Sequence, residues 1–167
     1  MTPIRYPISK PHKDEKLTAI IRLTSRLATI QRLSLTVRSG TQSQSHWSGQ
    51  GQGTIRVVPD ERGVRFFESG KFQPQGTESE VAFSNVYRWI TATDRIRLLH
   101  ERHGRDQPVW LFDLVPDSAS HALTAAHPHI CGSDHYTARL ELNEEGFDLL
   151  WTIQGPRKDE FLHYSYR

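Results

Sequence analysis

The stretch EVAFSNVYRWITATDRIRLLHERHGRDQPVWLFDLV, residues 80–115, decides the fold class. It contains three runs, at residues 80–91, 95–101 and 108–115, in which apolar and polar side chains tend to alternate. Alternation with a period of two is typical of a β-strand that buries one face. The sequences TATD and HGRDQP separate the runs and contain residues that favour tight turns. The stretch therefore predicts three antiparallel strands joined by short connections.

The same pattern continues on both sides of this stretch. Further strands are predicted at residues 32–38, 49–58, 63–72, 131–142, 146–154 and 160–166. Only PDSASHALTAAHPH, residues 116–129, breaks the pattern, and we expect a loop or a short helix there. The prediction is a mainly β protein, an antiparallel up-and-down barrel of about eight to nine strands. Closing such a meander into a barrel removes its exposed edges.

The N-terminal part differs from the rest. Residues 1–13 contain three prolines and are predicted to be a flexible arm, and residues 14–30 are predicted to form a helix. Apolar residues in this segment recur at helical steps, at Leu17, Ile20, Ile21, Leu27 and Ala28. The helix is expected to cover one end of a single barrel domain at residues 31–167, or alternatively to form a homodimer contact.

Composition limits the classes of function. The chain has 167 residues, a net charge of +2 and one cysteine. Basic and acidic residues are interspersed, so we expect no nucleic-acid partner. No apolar run is long enough for a membrane span, and the N-terminal residues lack the apolar core of a secretory signal. With no internal disulfide possible, the sequence favours a cytoplasmic protein.

Aromatic and polar residues share faces of the predicted strands. Asn85, Tyr87 and Trp89 lie on one face of their strand, and Tyr136 and Trp151 lie on faces rich in apolar residues. A face that mixes large rings with a few polar groups suits the wall of a ligand pocket. We predict that these five residues bind a small apolar or aromatic ligand. The alternative is that the rings only fill a packed core.

The stretch HPHICGSDHY, residues 127–136, contains the single thiol. A lone cysteine is most often a small buried apolar residue. Alternatively, His129, Cys131 and Asp134 could act as base, nucleophile and orienting carboxylate. In that case the protein would be a non-redox isomerase, cyclase or hydrolase that uses the same pocket. Whether it is an enzyme stays open at this stage.

No cofactor and no metal site are predicted. In an extended chain, residues four apart are separated by about 13 Å, so His127, His129 and Cys131 cannot share one ion without a fold-back. Zinc or haem remains an alternative if two of them combine with His100 or His163 from a neighbouring strand.

The sequence GPRKD, residues 155–159, is a predicted turn with two cations. Arg157 and Lys158 lie at the expected rim of the barrel and could bind a carboxylate or phosphate of an acidic ligand. The alternative is an exposed turn in which Asp159 pairs with one of them. A paired cation would be structural, whereas an unpaired one that faces inward would anchor a ligand.

Four phrases carry a resemblance: HICGSDHY, WTIQGPRKDEFLHYSYR, GQGTIRV and YRW. With them, residues 33–167 resemble an uncharacterised family of unknown function that is similar to lipocalin-like (calycin) barrels. The resemblance implies a ligand-holding barrel fold but no reaction. A histidine that often precedes Asp-Leu in that family is replaced here by Phe112, so an activity that needs it is not implied.

Three functions are therefore weighed. The leading prediction is a small-molecule-binding protein with the pocket described above. The second is the enzyme that uses His129, Cys131 and Asp134. The third is an interaction module whose barrel is packed solid.

Overall fold

The computed structural model describes residues 13–119 and 121–167. Its elements are α1 (Lys13–Leu27), β1 (Arg32–Ser39), β2 (Gly49–Asp60), β3 (Gly63–Pro74), β4 (Val81–Thr91), β5 (Ile96–His100), β6 (Val109–Pro116), β7 (Ala122–Ala125), β8 (His129–Cys131), β9 (Asp134–Leu142), β10 (Phe147–Gln154) and β11 (Asp159–Tyr166). The mainly β fold with one N-terminal helix is confirmed. The predicted arm lies almost entirely outside the described residues.

The strands form one closed antiparallel barrel. Hydrogen-bonded neighbours follow the order β1-β2-β3-β4-β5-β6-β7-β9-β10-β11, and β11 pairs with β1 to close the ring. The short β8 pairs only with β9, beside β7. The ring therefore has ten strands, close to the eight to nine predicted from alternation.

Two sequence predictions about the β6–β9 region were wrong. The segment 116–129, expected to be a loop or a short helix, contains β7, which pairs with β6 and β9. The expected strand at residues 131–142 is divided, because Gly132 has a φ of 63° and turns the chain between β8 and β9. Neither strand shows clear alternation, since both are only three to four residues long.

The barrel has two different ends. At one end, where β1 begins, α1 leads into the ring and also contacts β6 and β9. Because β6 lies on the opposite side of the ring from β1, the helix must cross this end, which we call the covered end. At the other end, here called the open end, β1 finishes at Ser39 and β2 starts at Gly49.

The buried face of α1 differs from the predicted stripe. Among the helix side chains that the structure describes, which do not include the predicted Leu17, it consists of Ala19, Ile20, Leu23 and Leu27, and these belong to the same apolar core as the barrel interior. Ile21 and Ala28, which were predicted to be part of the stripe, are exposed. Ile20 and Ile21 are adjacent, so they point about 100° apart and only one of them can face the core. No helix among the described residues has the length and apolar character needed to cross a membrane.

Candidate functional site

Exposure of the inward-facing rings and of Asn85 increases from the covered end to the open end. Three side chains near the covered end are completely buried: Phe66, Trp89 and Phe147. Three further along the axis are 6–8% exposed: Tyr87, Trp151 and Tyr164. Three at the open end are half-buried: Phe83, Asn85 and Tyr136. Within this set of inward-facing side chains, those nearer the open end are the more exposed.

A carboxylate lies in the interior, next to this solvent-accessible region. Glu68 of β3 faces inward between Phe66 and Gly70 and is only 2% exposed. Its Oε1 accepts a hydrogen bond of 2.8 Å from the Tyr166 hydroxyl. Its Oε2 accepts a long hydrogen bond of 3.4 Å from Asn85 Nδ2. Burial raises the pKa of Glu68 to about 7, although the Tyr166 and Asn85 hydrogen bonds oppose this shift.

Two further tyrosines complete what we call the Glu68 cluster: Glu68, Asn85, Tyr87, Tyr164 and Tyr166. Burial raises the pKa of Tyr87, Tyr164 and Tyr166, and the charge of Glu68 raises each of them further. Their hydroxyls are therefore neutral near pH 7 and act as hydrogen-bond donors or acceptors. The cluster combines one titratable acid with several neutral polar groups in an aromatic environment.

Rings surround the cluster and contact one another. Tyr87 stacks on His100 with centroids 4.7 Å apart and meets the edge of Trp151 at 6.4 Å. Burial lowers the pKa of His100, and the charges of Arg102 and His103 lower it further. Among the described residues, the buried indole Nε1 atoms of Trp89 and Trp151 have no hydrogen-bond partner. A buried donor without a partner is costly and is commonly satisfied by water or a ligand.

The five predicted wall residues occupy different depths. Asn85, Tyr87, Trp89 and Trp151 all face the interior, as their shared strand faces predicted. Trp89 lies at the covered end, packed on Phe66 and Phe147, away from the open end. Tyr136 lies at the open end. The structure thus brings Asn85, Tyr87 and Trp151 together with Glu68. Trp89 lies closer to the covered end than this group, and Tyr136 lies closer to the open end.

The His-Cys-Asp stretch forms a hairpin at the open end. Cys131 pairs with Asp134 across the turn, and His129 pairs with Tyr136. Cys131 is exposed, so the interpretation as a buried apolar residue was wrong. The His129 ring instead makes edge contacts with Trp110 and Tyr136. Within the described residues no hydrogen bond joins Cys131 to a histidine, so the assembled nucleophile and base are not observed.

The two rim cations differ in their contacts. Lys158 Nζ lies 2.9 Å from Asp134 Oδ2 and 3.4 Å from the Tyr136 hydroxyl. The Asp134 hydrogen bond raises the pKa of Lys158. Asp134 therefore pairs with Lys158, which was expected to pair with Asp159 or to bind ligand. Arg157 is exposed, and its carbonyl accepts a hydrogen bond from the Gln44 backbone N–H.

A second inward carboxylate, Glu160, contrasts with Glu68. It is 1% exposed, and its oxygens accept hydrogen bonds from the hydroxyls of Ser39, Ser43 and Ser45. These serines fasten the 40–48 connection to the start of β11. Glu160 thus accepts hydrogen bonds from three neutral donors, and its role is to stabilise the rim of the barrel.

The outer wall carries grooves but not the candidate site. Two of these grooves have volumes of about 380 Å³ each; one runs along Thr36, Arg38, Gln50 and Gln73. Among the described residues, no three His, Cys, Asp or Glu side chains lie close enough together to hold a metal ion. His163 faces outward near Asp148, 3.6 Å away, so it is not positioned to join His129.

Sequence reasoning missed Glu68 and the two tyrosines of β11. The signal was present, since Phe66, Glu68, Gly70 and Phe72 share one strand face in FFESGKF, where Ser69 and Lys71 fall on the other. Leu162, Tyr164 and Tyr166 alternate in the same way in LHYSY. A glutamate on the apolar face of a predicted strand is the pattern that could have identified it.

Comparison with known proteins identifies a family. Residues 30–167 match a family of unknown function, DUF6314. The chain belongs to this family. No curated protein and no solved structure matches the chain.

Proposed function

Starting from membership of a family without an assigned function, we propose that this protein binds a small molecule inside the open half of its barrel. The observation that carries the proposal is that two polar groups inside the barrel lack the hydrogen-bond or ion-pair partner that buried polar groups normally have. Among the described residues, the Trp151 indole N–H has no hydrogen-bond partner and Glu68 has no ion-pair partner, while Phe83, Asn85 and Tyr136 nearer the open end are only half-buried. A ligand with an apolar body and a few polar atoms would satisfy these groups.

The similarity to lipocalin-like barrels is part of this proposal. A closed antiparallel barrel with about ten strands has an interior wide enough for side chains plus one small ligand. The rings of Tyr87, Trp151 and Tyr164 would supply apolar contact, worth about 25 cal/mol per Å² buried before association costs. Tyr136 and Asn85 would contact the ligand where it enters. A cytoplasmic location, the absence of nucleic-acid and membrane partners, and a homodimer remain predictions.

The alternative enzyme function has weaker support. Its proposed base and nucleophile, His129 and Cys131, are on a hairpin at the rim and share no hydrogen bond. Asp134 is engaged by Lys158. An acid at Glu68 is the better placed proton-transfer group, but binding needs fewer assumptions and is the function that we put forward.

Native mass spectrometry of the protein expressed in its own cell type tests the proposal. We expect a retained compound in the wild type. Ala138 faces the interior beside Trp151, and its neighbour Thr137 is exposed on the outer wall. Ala138→Leu should fill the pocket and lower the retained fraction at least five-fold, whereas Thr137→Leu should leave it unchanged. Circular dichroism would confirm that both variants are folded.

Two results would overturn this function. One is a wild-type protein that carries no compound in its native mass spectrum. The other is equal retention by the two folded variants, because a larger side chain at position 138 would occupy space that a ligand in the barrel needs.

A further inference from the structure

Among the described residues Glu68 has no ion-pair partner, although it is only 2% exposed. None of the ion pairs formed by described residues includes Glu68. The other strongly buried acids are compensated. Glu101 pairs with Arg65 and Arg88, Asp113 pairs with Arg97, and Glu160 accepts three serine hydroxyls. Charged groups buried in proteins are normally paired.

The hydrogen bonds of Glu68 leave capacity for another donor. An ionised carboxylate can accept about four hydrogen bonds. Glu68 receives one of 2.8 Å from Tyr166 and a weak one of 3.4 Å from Asn85. Burial and the charge of Glu68 raise the pKa of Tyr87 and Tyr164, whose rings belong to the same buried core. The carboxylate therefore sits among ring systems that also attract cations through their faces.

The rim does not offer a complementary site for an acidic ligand. Lys158 is neutralised by Asp134 at 2.9 Å, and Arg157 is exposed. An anion that entered the barrel would approach Glu68 with no cation to offset the repulsion. The charge arrangement thus disfavours the acidic ligand that the basic turn suggested.

We infer that the pocket selects ligands that carry a protonated amine, with the ammonium bound to Glu68 among the rings of Tyr87, Tyr164 and Trp151. This inference rests on the proposed function and adds the chemical class of the ligand. The amine supplies the missing counterion and up to three N–H donors. Its apolar remainder fills the open half of the barrel.

We expect amine binding to depend on pH through the charge of Glu68. Tyr164 and Tyr166 of β11 and Tyr87 and Asn85 of β4 surround it, and these tyrosines stay neutral below pH 10. His100 stacks on Tyr87 of the cluster, and burial lowers its pKa. With a pKa of about 7, Glu68 is mostly ionised at pH 7.5 and mostly protonated at pH 5.5. Amine binding should weaken about 25-fold over this interval, in proportion to the ionised fraction of Glu68.

Three probes with one ring and different charges test the inference on the full-length protein. They are 2-phenylethylamine, 2-phenylethanol and 3-phenylpropionate, titrated while the indole N–H resonances of the tryptophans are recorded by ¹H–¹⁵N NMR. At pH 7.5 we expect the amine to bind at least ten-fold more tightly than the acid, with the alcohol between them. The Trp151 resonance should shift most.

Glu68→Gln keeps the shape of the side chain and removes its charge. We expect this variant to bind the amine and the alcohol within about two-fold of each other at every pH. Glu144→Gln, which removes an exposed acid from the β9–β10 turn, should behave as the wild type. If Glu68→Gln does not fold, the charge series and pH dependence of the wild type decide the question.

The outcomes separate the two claims. Binding of the acid as tightly as the amine, or amine binding that is unchanged between pH 5.5 and 7.5, would overturn the inference while leaving a binding pocket. If no probe shifts any tryptophan resonance, the proposed pocket is absent and the inference falls with it.

Discussion

Glu68 is the residue whose environment differs most from its ordinary one. A glutamate in water has a pKa near 4.5, and burial raises that of Glu68 to about 7. The folded protein tolerates this group because Tyr166 and Asn85 donate hydrogen bonds to it. A buried acid held partly neutral in this way is a common feature of functional sites.

This shift predicts a pH dependence of stability. Between about pH 4.5 and 7 the folded state binds a proton at Glu68 that the unfolded state has released. The free energy of unfolding should therefore fall as pH rises through this interval, by about 3 kcal/mol in total. Urea denaturation at pH 5, 6, 7 and 8 measures the trend.

Glu68→Gln is the control for this effect, since its amide does not titrate. The difference in stability between wild type and variant should change by most of that amount between pH 5 and 8. A difference that is constant with pH would show that Glu68 has an ordinary pKa in the folded protein.

Among the elements, β3, β4 and the residue after β5 are joined on the outer wall by one acid. The side chain of Glu101 is 2% exposed, and it receives hydrogen bonds from Arg65 of β3 and Arg88 of β4. The Arg65 hydrogen bond in particular lowers the pKa of Glu101. These contacts hold the strands that present Glu68, Asn85 and Tyr87 to the interior.

We predict that Glu101→Gln destabilises the protein by about 3 kcal/mol at pH 7, because it leaves two arginines without their anion. The matched change Glu80→Gln breaks an exposed pair with Lys71, whose side chain is 70% exposed, and should cost less than about 1 kcal/mol. Chemical denaturation compares them. The Glu101 contribution should disappear as pH falls below about 4.5, because its lowered pKa means that only the ionised form is stabilised. Equal losses would mean that burial of the ion pair is unimportant here.

At the scale of the whole molecule, α1 makes the two ends of the barrel unequal. The helix crosses the covered end and joins the core through residues such as Leu23, which is completely buried. At the open end, by contrast, the inward-facing Phe83, Asn85 and Tyr136 are only half-buried.

Two helix variants test how much this closure contributes. Leu23→Ala should destabilise the protein by about 3 kcal/mol through lost apolar burial and the cavity that remains. Ile21→Ala removes a side chain of similar size that is 62% exposed and should change stability by less than about 0.5 kcal/mol. Thermal and urea unfolding measure both. Similar effects of the two changes would show that the helix does not pack on the barrel as described.

The fold class and most strand positions followed from the sequence by itself. Alternation in stretches such as EVAFSNVYRWI fixes which side chains share a face, because successive residues of a strand point in opposite directions. The inward orientation of Asn85, Tyr87 and Trp151 was predictable for this reason. Gly, Pro and Asp at the joints identified most of the turns.

Tertiary structure alone decided which residues those strand faces contact. Short strands such as β7 form because neighbours on both sides pair with them, and a local pattern cannot report that. The partner of Lys158 is Asp134, which lies 24 positions away in the chain, and the exposure of Cys131 depends on where its hairpin sits. The environment of Glu68 is set by β4 and β11: β3–β4 pairing places Asn85 opposite Glu68, and ring closure brings Tyr166 to the same carboxylate. Strand alternation determines direction, whereas distances between strands arise only when the barrel closes.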